Sequence, residues 1–275
     1  MKKRLMTVLF FVIFLGSHFL SIAQFTPEEI AERGKWEEFL KTAEIVGKEQ
    51  IGGREAVTKP WRFALEKDGI SRDAVWKNPE GMLKGFIEGW KWEIAAYRLD
   101  KHLELNMVPP TVEREFQGKR GCCQLWVTAE MDLRRKAREK IKTPSNKVYY
   151  WNNAIYLQQA FDNLIANEDR HQGNILITKD WRMILIDHSR SFRTSEKFST
   201  KLIYTEKNKE GPKIMRKLPR AFVEKLKALN FELIKNIVGE YLTDKEIESV
   251  LMRRNLILKE IDKLIKMHGE ADVLY

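Results

Sequence analysis

The segment with the clearest chemical character is a polar loop between two apolar runs. Asn163-Leu164-Ile165-Ala166 leads into Asn167-Glu168-Asp169-Arg170-His171-Gln172-Gly173-Asn174, and Ile175-Leu176-Ile177 follows. The chain then reaches Ile184-Leu185-Ile186-Asp187-His188. Asp169, Arg170, His171 and Asn174 are side chains that are not buried without a reason. Residues 174–178 and 182–187 read as two short strands. Paired as an antiparallel hairpin, they bring Asn174 and Asp187 side by side. An amide oxygen and a carboxylate in that position can hold a hard cation, Mg²⁺ or Mn²⁺. Asp169 lies just before them, within reach of a substrate hydroxyl.

This arrangement resembles the kinase catalytic loop, in which an Asp is followed five positions later by a metal-binding Asn and a further Asp comes after a short hairpin. Asp169 and Asn174 keep that offset. The form Asp-Arg-His-x-x-Asn, with Arg and His after the Asp, is similar to that of the phosphatidylinositol 3-/4-kinase superfamily and of the atypical kinases of the secretory pathway. His188 and Ser189 depart from the Asp-Phe-Gly of ordinary protein kinases, and no Ala-Pro-Glu follows. An ordinary protein-kinase substrate segment is therefore not expected. His171 is expected to support the loop by hydrogen bonding rather than act as a base.

The resemblance extends upstream over residues 43 to 192 and implies a nucleotide site. Lys77, in Ala74-Val75-Trp76-Lys77, stands where the phosphate-binding Lys of the third strand would lie. Glu93 would be its helix partner, fixing the ammonium and keeping it charged; Glu88 is a rival, read as lying on the same helix. Gly52-Gly53 could form the loop over the phosphates, where backbone N–H groups need close approach, or a plain turn. Residues 124–128 would be the hinge facing adenine, with Trp126 and Val127 at its centre. The cofactors implied are ATP and Mg²⁺ or Mn²⁺.

The elements that must position these residues can be read from pattern. Thr26-Pro27-Glu28-Glu29 is a helix start with a capping box, followed by a helix of about fifteen residues. Residues 43–51 read as a strand. Residues 57–66 and 71–77 form a hairpin about Lys67-Asp68-Gly69. Residues 81–105 contain a helix with Trp92, Ala95, Ala96, Leu99 and Leu103 at helical spacing. A second hairpin, 111–116 and 121–127, turns over residues 117–121. Beyond 128 the chain reads as mostly helical: a charge-rich stretch at 130–142, a buried helix over 149–166, and two amphipathic helices over 219–268. Thr243-Asp244-Lys245-Glu246 supplies a second capping box. The expectation is an α+β, two-lobed, protein-kinase-like fold: a small β-rich N-lobe over 24–127, a larger helical C-lobe over 128–275, and a ligand cleft between them.

Composition bounds the rest. With 43% hydrophobic and 32% charged residues, the chain reads as globular rather than disordered. Lys2, Lys3 and Arg4, then an apolar run from Leu5 to Leu20, then Ser21-Ile22-Ala23 before Gln24, have the layout of a cleavable export signal over 1–23. The expected location is thus the periplasm, the exterior or a secretory lumen, with no stable membrane span after cleavage. The formal net charge is +10, and +7 without the three cations of the signal, which holds no acid. That balance suits anionic partners. Only Cys122 and Cys123 occur, adjacent, so no disulfide framework holds the chain; both are expected buried in a strand. Arg193, Lys197, Lys201, Lys207, Lys209, Lys213, Arg216, Lys217 and Arg220 form a basic segment after Asp187 that faces either an anionic acceptor or solvent.

The sequence therefore points to transfer of a phosphoryl group from ATP to a protein or lipid hydroxyl. The alternative is an exported pseudokinase that binds nucleotide or protein. No zinc pattern or RNA-binding motif supports a nucleic-acid partner.

Overall fold

The computed structural model describes residues 25–52, 58–205 and 216–275. The proposed signal, Gly53, Lys207, Lys209 and Lys213 lie outside the described residues.

The chain opens with α1 (Pro27–Ala31), where Thr26 and Glu29 form the expected capping box, and α2 (Arg33–Thr42). The single helix expected here is two, divided at Glu32. Strands β1 (Glu44–Gln50), β2 (Trp61–Lys67) and β3 (Ile70–Lys77) follow as an antiparallel meander. Asp68 (φ 52°) and Gly69 (φ 73°) make the tight β2–β3 turn, both in the left-handed region that such two-residue turns require.

Next comes an element that helical periodicity did not reveal. Residues 80–89 form a small hairpin, β4 (Glu80–Leu83) and β5 (Phe86–Gly89), before α3 (Trp90–Leu103) begins. Glu88 is therefore a strand residue, not a helix neighbour of Glu93. Strands β6 (Thr111–Phe116) and β7 (Lys119–Leu125) complete a five-stranded antiparallel sheet in the order β1-β2-β3-β7-β6. Their turn is shorter than expected, with Gln117 (φ 53°) and Gly118 (φ 71°) at its centre. Cys122 and Cys123 are both buried on β7, pointing to opposite faces as strand geometry dictates.

The remainder is mostly helical. After β8 (Met131–Asp132) and α4 (Leu133–Arg138), the buried α5 (Val148–Ile165) leads to β9 (Ile175–Ile177) and β10 (Met183–Leu185), which pair in the order β10-β9-β8. The short α6 (Glu196–Thr200) follows. Residues 219–268 hold three helices rather than two, α7 (Arg220–Ala228), α8 (Phe231–Val238) and α9 (Asp244–His268), and the short α10 (Glu270–Val273) follows. Asn230 caps α8, and the Thr243–Glu246 box caps α9.

Two hydrophobic cores result. The smaller joins α2 to the sheet through Trp36, Phe39, Phe63, Trp76, Val112 and Phe116. The larger gathers α3, α5 and the tail helices through Ile94, Leu99, Leu103, Phe161, Leu164, Ile234, Val250 and Ile257. Cys122 faces the larger core and Cys123 the smaller, so β7 is shared by both. Helix α3 thus sits between the sheet and the helical half, where its side chains can reach a cleft from behind.

Candidate active site

Lys77 ends β3 and points into that cleft. Its ammonium nitrogen lies 2.5 Å from Glu93 Oε1 and 2.7 Å from Asp187 Oδ1. Glu93 is held on the first turn of α3 and is almost wholly inaccessible. The peptide N–H of His188 donates to the same Oε1 atom at 3.0 Å. So β3, α3 and the segment after β10 meet at one ion cluster, its Lys77 and Glu93 end largely buried and its Asp187 end over one third exposed. Burial works against the charge on Lys77, but Asp187 and Glu93 outweigh it and hold the ammonium well above its ordinary range. Burial likewise raises Asp187, and the Lys77 ammonium and the Ser189 hydroxyl overcome it, leaving that carboxyl well below the carboxylate range. Glu93 is lowered too, with Lys77 offsetting its burial.

Asp187 takes φ 60°, in the left-handed region. An Asp tolerates this better than a branched residue, but it still costs about 1 kcal/mol or more. The surroundings fix it there: Lys77 donates to Asp187 Oδ1 at 2.7 Å, and the Ser189 hydroxyl, whose single proton is shared with a second carboxylate, lies 3.0 Å from the same atom.

The loop before β9 is organised by a residue whose partner the sequence did not disclose. Arg170 is buried and pairs with Asp162 of α5, its Nε 3.0 Å from Oδ2. Its other nitrogen, Nη1, donates to the carbonyls of Asn174 at 3.1 Å and Ile186 at 2.6 Å. One guanidinium therefore ties the start of β9 to the end of β10. The Ile186 N–H donates to the Asn174 carbonyl at 3.2 Å. Asn174 and the residue before Asp187 are thus bonded neighbours, as the hairpin pairing required. His171 accepts the Gly173 N–H at 3.1 Å on Nδ1, a loop-supporting bond.

Asp169 stands at the rim, about one third exposed. Its carbonyl accepts from the Asn174 side-chain amide at 3.4 Å. Its carboxylate Oδ2 lies 3.2 Å from Arg190 Nη1. Burial raises this carboxyl above its ordinary value, Arg190 opposes the shift, and the Asp187 charge adds to it.

A cavity of about 440 Å³ opens beside Lys77. Its walls include Val75, Lys77, Glu93, Gln124, Trp126, Val127, Leu176, Ile186 and Asp187. It is apolar towards residues 124–129 and ionic at its Lys77 end, a shape suited to a flat heterocycle carrying phosphates. Of the residues singled out from sequence, Lys77, Glu93, Asp187 and the hinge residues 124–128, with Trp126 and Val127 at their centre, line this one space. Asp169, Asn174 and Gly52 lie outside its lining. Gly52 has φ 96°, next to the lining residue Ile51, where a side chain would be strained. The Trp126 N–H donates to the Asp73 carbonyl at 3.0 Å, so it is already engaged.

The residues suit a hard cation. Asp187 stays ionised, and the Asn174 amide nitrogen is committed to Asp169, which leaves the amide oxygen as the donor atom. Among the described residues, no group of three or more His, Cys, Asp or Glu is gathered as a metal site. A cation held by Asn174 and Asp187 would thus need further oxygens, which phosphates supply. Nor is any helix among the described residues long and apolar enough to cross a membrane.

Comparison with known proteins bears on the fold. Residues 96–208 match the model of the ABC1 atypical kinase-like domain. A structure of hydra Fam20 with sugar superposes with a TM-score of 0.62 at 16% identity, over 89% of this chain and 92% of that one. A Golgi casein kinase superposes with a TM-score of 0.62 at 15% identity, over 92% and 79%. The Golgi casein kinase with Mn/ADP bound gives 0.59 at 14% identity, over 92% and 80%. No curated protein matches the chain. The fold is therefore the mixed α+β, kinase-like fold expected from sequence. Of the two groups that the Asp-Arg-His-x-x-Asn motif resembles, the secretory-pathway kinases are the one represented among these three structures.

Proposed function

We propose that the protein is an exported atypical kinase that moves the γ-phosphate of ATP to a hydroxyl of a protein or lipid. The observation that carries this reading is the cluster of Lys77, Glu93 and Asp187 at the ionic end of an apolar cavity. A lysine fixed by two acids is a point charge set to meet phosphate oxygens. The ABC1 match and the Mn/ADP-bound neighbour support nucleotide use.

In this reading residues 24–127 form the nucleotide-covering lobe and 128–275 the acceptor-side lobe. Lys77, held by Glu93, binds α/β-phosphate oxygens. Val75, Leu176 and Ile186 flank the adenine, Trp126 and Val127 border it, and Gly52 lies towards the phosphates. Asn174 and Asp187 would hold Mg²⁺ or Mn²⁺, which when bound neutralises phosphate charge. Asp169 orients the acceptor hydroxyl and takes its proton as the new O–P bond forms and the bond to the β-phosphate oxygen breaks. Its carboxyl, raised by burial, is suited to accepting that proton. Positioning and fixed charge supply most of the acceleration.

The test is transfer from labelled ATP with Mg²⁺ or Mn²⁺ to peptide pools and lipid vesicles side by side. Transfer to one class identifies the acceptor. A folded protein that transfers nothing to either would end the kinase reading.

A second reading, a pseudokinase that binds nucleotide or protein, draws on one observation. Arg190 already pairs with Asp169, the group that would have to accept the proton. Nucleotide binding without transfer would favour it.

A further inference from the structure

Behind the two cleft aspartates lies one carboxylate that the kinase reading leaves without a role. Glu88, on β5, is buried, and both of its oxygens are engaged. The Ser189 hydroxyl lies between two carboxylates, 2.6 Å from Glu88 Oε2 and 3.0 Å from Asp187 Oδ1, and its single proton is shared between them. Oε1 accepts from Arg190 Nε at 2.6 Å, and Arg190 Nη1 reaches Asp169 Oδ2 at 3.2 Å. The Arg190 guanidinium also lies 4.0 Å from the ring centre of Phe86, on the same strand. The backbone completes the junction, with the Gly89 N–H donating to the Ser189 carbonyl at 2.8 Å.

We infer that Glu88 is a positioning residue for both cleft aspartates, holding Asp187 through Ser189 and Asp169 through Arg190. The inference rests on the kinase reading for the roles of the two aspartates, but the wiring itself is independent of it. A hairpin held only to close the fold would need no buried charge. The apolar residues Met82, Phe86 and Ile87 of the same hairpin are exposed, and the one carboxylate it buries points at the site. A two-stranded hairpin is marginal alone, so its bonds to residues 189 and 190 fix its place beside the two aspartates. Supporting side chains of this kind commonly change affinity or rate about 10- to 100-fold when removed.

The two arms separate experimentally in the full chain. Ser189→Ala is expected to weaken ADP binding in the presence of Mn²⁺ by about tenfold, read by calorimetry, with a smaller effect on the rate at saturating ATP. Arg190→Gln is expected to leave ADP–Mn²⁺ affinity within about twofold and lower the transfer rate by about tenfold or more. The isosteric Glu88→Gln should show both defects. In its background, Ser189→Ala and Arg190→Gln should add little, because the contacts they remove are already impaired. Thermal melts check that each variant folds, and Glu88→Asp gives a second, charge-retaining variant whose defects should be the smaller ones.

Glu88→Gln with wild-type nucleotide affinity and rate would overturn the proposal. Full additivity of Glu88→Gln with the other two changes would overturn it as well. A faster Arg190→Gln would show that Arg190 restrains Asp169 instead of positioning it, and would overturn the Asp169 arm. A wild-type chain that binds ADP–Mn²⁺ but transfers nothing ends the kinase reading. The Glu88 proposal then stands or falls on the binding arm.

Discussion

Asp187 and Asp169 are the same residue type within one cleft, and their surroundings push them in opposite directions. Asp187 sits against the Lys77 ammonium and takes the Ser189 hydroxyl, so its carboxyl is held far down. Asp169 stands at the rim, where burial and the neighbouring Asp187 charge raise it, with Arg190 and His171 opposing. The first suits a permanent anion that holds a cation. The second suits a group that takes and releases a proton. Pairs of acids pushed apart in this way divide binding from proton transfer. The cause on the first side is the Lys77 ammonium held by β3 and α3; on the second it is burial, which the Arg190 cation reduces but does not reverse.

The largest expected effect comes from breaking the Asp187 side. Asp187→Asn should abolish phosphate transfer and remove the Mn²⁺-dependent part of ADP binding, measured by calorimetry with and without the metal. Asp169→Asn should be the milder break. Transfer should fall by about 10²- to 10⁴-fold, as expected for loss of a general base, while ADP–Mn²⁺ affinity stays near that of the wild type.

Removing the cation between the acids should be felt in stability. Lys77→Met leaves Glu93 buried without its partner and should cost about 3 kcal/mol or more in denaturant unfolding. Its pH dependence should also reverse. In the wild type Glu93 is depressed, so its contribution is present above the ordinary Glu value and lost as pH falls through the lower folded value. Without Lys77, burial prevails and the folded value rises above the unfolded one. The contribution is then present at low pH and lost as pH rises. The variant should therefore gain stability on going from pH 7.5 to 5, where the wild type gains none from this group. The smallest effect is expected far from the cleft. The partly exposed pair Arg62–Asp73, 2.5 Å apart, should be worth less than about 1 kcal/mol in a double-mutant cycle.

Features set by short-range chemistry were the ones legible in the sequence. The capping boxes at Thr26 and Thr243 and the Asp68-Gly69 turn depend on neighbours a few residues apart, and all three form as read. Asn174 and the end of β10 meet because a short hairpin leaves little choice of pairing. The misreadings fall where long-range contacts decide. Residues 81–105 contain the expected helix, at 90–103, but its periodicity gives no sign of the β4–β5 hairpin before it, so Glu88 reads as a helix rival to Glu93 when it lies on β5. The Arg170–Asp162 pair joins a loop to the middle of α5, and nothing in the spacing announces it. Residues 219–268 hold three helices because Leu229-Asn230 and residues 239–243 interrupt an amphipathic pattern that otherwise runs on. Asn230 at a cap position and Gly239 were the available signals for those breaks.

The central claim is that the two aspartates do different work. The direct test compares Asp187→Asn and Asp169→Asn in the same preparation, measuring ADP–Mn²⁺ affinity and transfer from labelled ATP. The account expects the first variant to lose both and the second to keep affinity and lose transfer. Equal loss of nucleotide affinity in both variants, or undiminished transfer in either, would contradict it.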